Sequence, residues 1–212
     1  MSTEYGIRTV SGNIIATGVS ADEYMQHYAA DFCEWVEGSI VKMSPESLRH
    51  DVLMYYLRNL LEVYFTLRPV GSVHDAPFVM QSHPQLPRRE PDLQVILESN
   101  PGTLTETYMD GPADLCIEVV SLDSVDRDYA EKLAEYQKAG VREYWIIDPL
   151  EDRTRFYRLN DVGVYVRYSE DAGGDYRTPL LPGLVLYVPT LWQPILPDPI
   201  SVVEAVKAML AQ

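Results

Sequence analysis

A carboxylate stands inside an otherwise apolar run, Leu115-Cys116-Ile117-Glu118-Val119-Val120. Continuous apolar runs of this length form strands covered on both faces. A charge placed in one is costly to bury unless it is paired or bound to a metal. The run therefore asks for a sheet with a layer on each side, and for a partner to Glu118. The competing reading is an edge strand whose acid simply faces solvent.

The neighbouring segments supply the layers. Residues 71–80 and 92–98 read as strands before the run, and residues 141–147 as a strand after it. Between the last two, residues 125–139 read as a helix. Asp123, Ser124 and Asp126 load its N-terminus with caps and negative charge, and Gly140 ends it. A longer helix begins at Ser44-Pro45, with Ser as cap and Pro in the first turn, and runs to about residue 67. Leu53, Leu57, Leu60, Leu61, Tyr64 and Phe65 give it an apolar stripe, and Arg68-Pro69 stops it. The order helix, strand, strand, strand, helix, strand predicts an α/β fold, a mixed central sheet flanked by helices.

Extra elements surround this core. Ser20-Ala21-Asp22-Glu23 matches a capping box and opens a short helix through about residue 30. Residues 32–43 read as a hairpin turned at Glu37-Gly38, and residues 153–159 and 164–169 as a second hairpin. Residues 183–188 are one more strand, residues 189–199 a proline-rich connection, and residues 201–210 a final helix. One domain is expected over 1–212, with its core at about 44–150, an N-terminal helix and hairpin over 20–43, and C-terminal strands and helix over 151–212.

Composition narrows the function classes. Hydrophobic residues make up 46%, enough for a real core. Seventeen Lys and Arg face 32 Asp and Glu, a net charge of -15, which disfavours generic binding to phosphate backbones. Cys33 and Cys116 are too far apart in sequence for a disulfide framework or a zinc cluster, and Cys116 reads as a buried thiol. Residues 1–9 lack a basic-then-apolar leader pattern and no apolar run would span a bilayer, so a cytoplasmic protein off the membrane is expected. Fifteen Tyr against 4 Phe and 3 Trp suggest broad amphipathic faces, and the tyrosine-rich helix over 45–67 with the C-terminal hairpin offers surface for an expected homodimer.

Asp92 follows Pro91 at the start of a strand, where an Asx turn is the ordinary reading. Two acids at the ends of neighbouring strands, Asp92 and Glu118, can also converge on one point. Such oxygen ligands suit Mg²⁺ or Mn²⁺, which keep several waters and need only one or two carboxylates. The backbone carbonyl of Val119 could add a third oxygen. Lys132 lies in the following helix, either as an exposed (i, i+4) partner of Asp128 or as a cation over the metal site. In the second role it would polarise a water or stabilise charge growing on a phosphate. His27, His50, His74 and His83 are scattered, and His50 is expected to face solvent or bond locally. No GxSxG, glycine-rich phosphate loop, HExxH or CxxC is present.

Taken in order, these residues carry a resemblance. Glu90-Pro91-Asp92, Ile117-Glu118-Val119-Val120-Ser121, and Asp128-x-x-x-Lys132-x-x-x-Tyr136-x-x-x-Gly140-Val141-x-Glu143-Tyr144-Trp145-x-x-Asp148-Pro149 resemble the Uma family of restriction-endonuclease-like proteins. That family belongs to the PD-(D/E)XK nuclease superfamily. Glu37-Gly38, Met43-Ser44-Pro45-Glu46-Ser47, His50 and Leu181-Pro182-Gly183-Leu184 extend the likeness over about residues 20–190. The resemblance implies a restriction-endonuclease-like core with Asp92 and Glu118 as metal ligands. It departs from the superfamily where Val120 replaces the lysine two residues after Glu118, and Lys132 matches the slot of a lysine moved to the next helix. Glu37, His50 and Tyr136 match family positions in a supporting capacity. The implied activity is Mg²⁺-dependent hydrolysis of DNA. The alternatives are a catalytically silent scaffold that binds DNA or a protein, and an acidic regulator that docks a basic partner.

Overall fold

A computed structural model describes residues 13–43 and 47–211. Its first half contains β1 (Asn13–Thr17), α1 (Ala21–His27), β2 (Cys33–Val36), β3 (Ser39–Lys42), α2 (Leu48–Leu67), β4 (Gly71–Asp75), β5 (Val79–Gln81) and β6 (Leu93–Leu97). Next come β7 (Thr103–Leu104), β8 (Tyr108–Asp110), β9 (Leu115–Val119), a π-helical turn (Arg127–Glu131) continuing into α3 (Lys132–Ala139), and β10 (Glu143–Asp148). The chain ends with β11 (Arg153–Leu159), β12 (Tyr165–Tyr168), β13 (Asp175–Arg177), β14 (Val185–Tyr187), a 3₁₀ turn (Val188–Trp192) and α4 (Pro199–Leu210).

The central sheet has six strands in the order β12-β11-β10-β9-β6-β4. Only β9 and β10 run parallel, joined by α3; the other neighbours are antiparallel. The run that contains Glu118 is thus an interior strand, with β10 on one side and β6 on the other, and not an edge.

Strand alternation sorts the residues onto two faces. Leu115, Ile117 and Val119 of β9, with Leu93, Val95, Trp145 and Ile147, pack under α2 and α4. Cys116 and Val120, with Ile96, Tyr144 and Ile146, pack under Tyr136 and Val141 at α3. Glu118 shares parity with Cys116 and so emerges on the α3 face. Leu93 lies opposite Ile117 in the antiparallel β6–β9 pair. One further step along that register sets Asp92 opposite Glu118, on the same face. The meeting of the two acids is therefore a consequence of period and register.

A third cluster, Val19, Tyr24, Cys33, Ile40 and Val79, lies under a small sheet in the order β1-β3-β2. Glu37 and Gly38 turn the β2–β3 hairpin with φ of 48° and 83°, the signature of a type I′ turn. A bridge between Trp35 and Arg88 ties this layer to the segment leading into β6.

Several boundaries differ from expectation. Residues 71–80 split into β4, which pairs with β6, and β5, which pairs with β8, because Pro77 between them has no N–H for a ladder. β1, β7, β8 and β13 are two to five residues long and carry no readable period. Ser47, not Ser44, caps α2 by accepting from His50 N at 3.1 Å; Ser44 and Pro45 lie outside the described residues. α2 also spends its apolar stripe within the chain: Tyr56 and Tyr64 are buried and only Tyr55, 59% exposed, faces out. No helix among the described residues is long and apolar enough to cross a membrane.

This layering predicts an asymmetry in mutational cost. Ile117→Ala, in the fully covered centre, should lower the unfolding free energy by about 2–5 kcal/mol, whereas Val166→Ala on the outer strand β12 should change it by less than about 0.5 kcal/mol. Urea titration of both variants checks this. Comparable losses would mean that β9 is not the covered strand.

Candidate active site

Asp92, Glu118, Val119, Asp128 and Lys132 line one cleft of about 380 Å³, together with His50, Arg127 and, on another wall, Phe32, Lys42 and Met43. The three residues that sequence reasoning put first thus converge. Lys132 Nζ lies 2.8 Å from Glu118 Oε2, 3.3 Å from Glu34 Oε1 and 3.7 Å from Asp128 Oδ1. Lys132 is 1% exposed, so its contact with Asp128 is no surface pair. Glu118 is equally buried and its Oε1 accepts from Tyr136 OH at 2.7 Å. Asp92 is held across strands instead of in an Asx turn. Its Oδ2 accepts from the Val119 N–H at 2.6 Å and lies 3.2 Å from His50 Nε2.

His50 corrects the expectation of a solvent-facing or locally bonded ring: it is 3% exposed and meets Asp92. Its place on α2 carries it over the C-terminal end of β9. Glu37, in contrast, sits exposed on the hairpin turn and does not line the cleft.

Sequence reasoning overlooked Glu34. It is fully buried in β2, reaches Lys132, and accepts from Arg89 Nη1 at 2.7 Å. Arg89 also donates from Nε and Nη2 to Glu135 at 2.8 and 3.0 Å. The signal was available, because Glu34 interrupts Cys33-Glu34-Trp35-Val36 as Glu118 interrupts its own strand. Asp128 was read as a surface partner of Lys132 and as part of the family pattern, without a place in the cleft. The π-helical turn before α3, in which the Lys132 N–H bonds to the Arg127 carbonyl, places Arg127 and Asp128 at the cleft.

Charge balance sets the protonation states. Burial would lower Lys132, but Glu118, Glu34 and Asp128 together hold its value above the ordinary one, so it stays an ammonium ion. Burial raises Glu118, and Asp92 and Asp128 add to the rise, while Lys132 opposes it. Burial likewise raises Asp128. The pair of shifts looks contradictory for one ion pair, since both Lys132 and Glu118 go up. The reason is that a single ammonium is shared among three carboxylates and cannot compensate all of them. Glu34 is the exception. Burial alone would raise it, yet Lys132 and Arg89 bring it down to about 2.

The donor set suits a hard divalent cation. Asp92, Glu118 and Asp128 offer only oxygen. Asp128 Oδ1 is buried with no hydrogen-bond partner, and a cation beside these acids would offset the burial, and relieve the repulsion added to it, that raise Glu118 and Asp128. Among the described residues no three of His, Cys, Asp and Glu form a ready ligand set. An ion would therefore rest on two carboxylates, with water or backbone oxygen completing its shell, as Mg²⁺ commonly does.

Comparison with known proteins agrees with this architecture. The family model described as "Uma2: Putative restriction endonuclease" matches residues 21–189. The crystal structure of a putative nuclease belonging to DUF820 from Anabaena variabilis superposes with a TM-score of 0.67 at 16% identity, over 82% of this chain and 97% of the other. No curated protein matches the chain.

The electrostatics give a pH test. Glu34 has a folded value of about 2 against an ordinary 4.5, so its stabilising contribution is full above pH 4.5 and is lost as pH falls toward 2. The whole span is on the order of 3 kcal/mol. Glu34→Gln should remove part of the acid-side loss, giving a shallower fall of unfolding free energy between pH 5 and 3 in urea titrations. Identical slopes in parent and variant would mean that Glu34 is not held ionised by Lys132 and Arg89.

Proposed function

Because the chain belongs to the Uma2 family, we propose that it is an endonuclease that hydrolyses DNA phosphodiester bonds with Mg²⁺ or Mn²⁺ held by Asp92 and Glu118. The observation that carries this reading is the convergence of Asp92, Glu118 and Lys132 in one cleft, with the ammonium 2.8 Å from the Glu118 carboxylate.

Each residue has a separable part. Asp92 is oriented by the Val119 N–H and by His50, and Glu118 by Tyr136, so both carboxylates are fixed before substrate arrives. When bound, the cation would polarise the phosphate and lower the pKa of the attacking water. Lys132 is held protonated by its three carboxylates, which suits it to stabilise charge growing on the phosphate oxygens and not to act as a base. Hydrolysis joins a water oxygen to phosphorus as the bond to the leaving sugar oxygen breaks, and that oxygen takes up a proton. The Val119 carbonyl remains the proposed third oxygen ligand.

A catalytically silent nucleic-acid-binding scaffold is the second reading. What favours it is that both Glu118 oxygens are already engaged, one by Lys132 and one by Tyr136. A cation would have to draw Glu118 away from the ammonium.

Supercoiled plasmid and thermal melts with and without Mg²⁺ separate the readings. The parent should nick DNA and melt higher in Mg²⁺ by mass action. Glu118→Gln should lose both effects. Lys132→Ala should keep the Mg²⁺-dependent rise in Tm while cleavage falls by about 10²–10³. Cleavage by Lys132→Ala at the parent rate would remove Lys132 from the mechanism. A parent stabilised by Mg²⁺ through Glu118 that cuts no nucleic acid would favour the scaffold.

A further inference from the structure

The cleft has a wall that the carboxylates do not explain. Phe32, Lys42 and Met43, from the N-terminal hairpin, line the same space as Asp92, Glu118 and Lys132. Phe32 leaves 46% of its surface exposed. Its backbone adopts a left-handed φ of 51°, a conformation that suits glycine or asparagine and is an outlier for a bulky aromatic. The position is pinned by the ladder that begins beside it. The Met43 N–H donates to the Phe32 carbonyl at 3.0 Å, and Cys33 pairs with Lys42. An exposed ring, a strained backbone and a place on the cleft wall thus coincide in one residue. Strain of this kind, kept at a site, points to a role for the side chain.

What the ring would meet follows from charge and size. The chain carries 32 acidic and 17 basic residues, so a grip on phosphates alone is weak. Of the cations that line the cleft, Lys132 is committed to Glu118, Glu34 and Asp128 and Lys42 to the Asp31 carbonyl, while Arg127, whose Nε has no hydrogen-bond partner, is left for a phosphate. One such cation is a small grip, and a contact indifferent to charge adds to it; stacking of a base on an aromatic ring is one. A cleft of about 380 Å³ is in the range of small-molecule pockets. A single nucleotide out of the stack matches a pocket of that size.

We propose that Phe32 is a base-stacking platform for one unpaired nucleotide whose phosphate lies at Asp92 and Glu118, so that the preferred substrate is single-stranded or frayed DNA. This rests on the nuclease reading above and names its substrate class. The strain at residue 32 is then retained for binding, at a cost to the stability of the hairpin.

The test compares the parent with Phe32→Gly, Phe32→Ala and Phe32→Trp. Fluorescence anisotropy of a labelled oligothymidylate strand and of a blunt hairpin duplex is measured in Ca²⁺, and cleavage of the same two substrates in Mg²⁺. The parent should bind and cut the single strand in preference to the duplex. Phe32→Gly and Phe32→Ala should weaken single-strand binding by about tenfold or more, and Phe32→Trp should restore it. Phe32→Gly should at the same time melt no lower than the parent, because glycine relieves the left-handed strain; a purely structural ring would show the opposite. A parent that cuts DNA while Phe32→Gly and Phe32→Ala keep its affinity and strand preference overturns the stacking proposal alone. A parent that neither binds nor cuts either substrate overturns the nuclease reading and the platform with it.

Discussion

A single buried ammonium organises this molecule. Lys132 draws together Glu118 from the central strand β9, Glu34 from the N-terminal hairpin and Asp128 from the turn just before its own helix. The N-terminal hairpin, remote in sequence, is thereby tied at one atom to the β9–α3 unit. Burying that many charges is no route to stability, since desolvation commonly cancels the Coulomb gain and apolar residues would pack there at no such cost. The arrangement makes sense as a site that keeps a cation ready among oxygens, at the expense of some stability.

The surrounding fold explains why the site holds its shape. One face of the sheet is sealed by α2 and α4, and from α2 His50 reaches Asp92 in the cleft. The other face presents Asp92 and Glu118 side by side through register. The π-helical turn widens the backbone just where Arg127 and Asp128 enter the cleft, and such turns recur at functional sites. Arg89, gripped by Glu34 and Glu135, fastens the hairpin to α3 and so fixes the far side of the ammonium cage.

Much of this could be read from the chain because two simple periods set it. The acid in the middle of an apolar strand identified Glu118, and strand parity brought Asp92 to it. Lys132 could be named but not placed, since spacing alone fits a surface pair with Asp128 as well as a buried cation. Glu34 escaped because its hairpin read as a peripheral addition, although its interruption of apolar Cys33, Trp35 and Val36 was the same signal as at Glu118. The resemblance marked His50 as a supporting residue, but its contact with Asp92 was not legible, because a lone histidine on a helix has no local mark of a partner 42 residues away. The short strands β7, β8 and β13 take their shape from pairing with other segments, so no local pattern announces them.

The account stands on a divalent cation joining Asp92 and Glu118 beside a charged Lys132. Crystals soaked in Mn²⁺ and measured at the manganese absorption edge address this directly. The expected result is an anomalous peak about 2.1 Å from a carboxylate oxygen of both Asp92 and Glu118, with the Lys132 ammonium still in the cleft on Glu34. A peak elsewhere, or none at saturating Mn²⁺ with Lys132 still closed on Glu118, would contradict it.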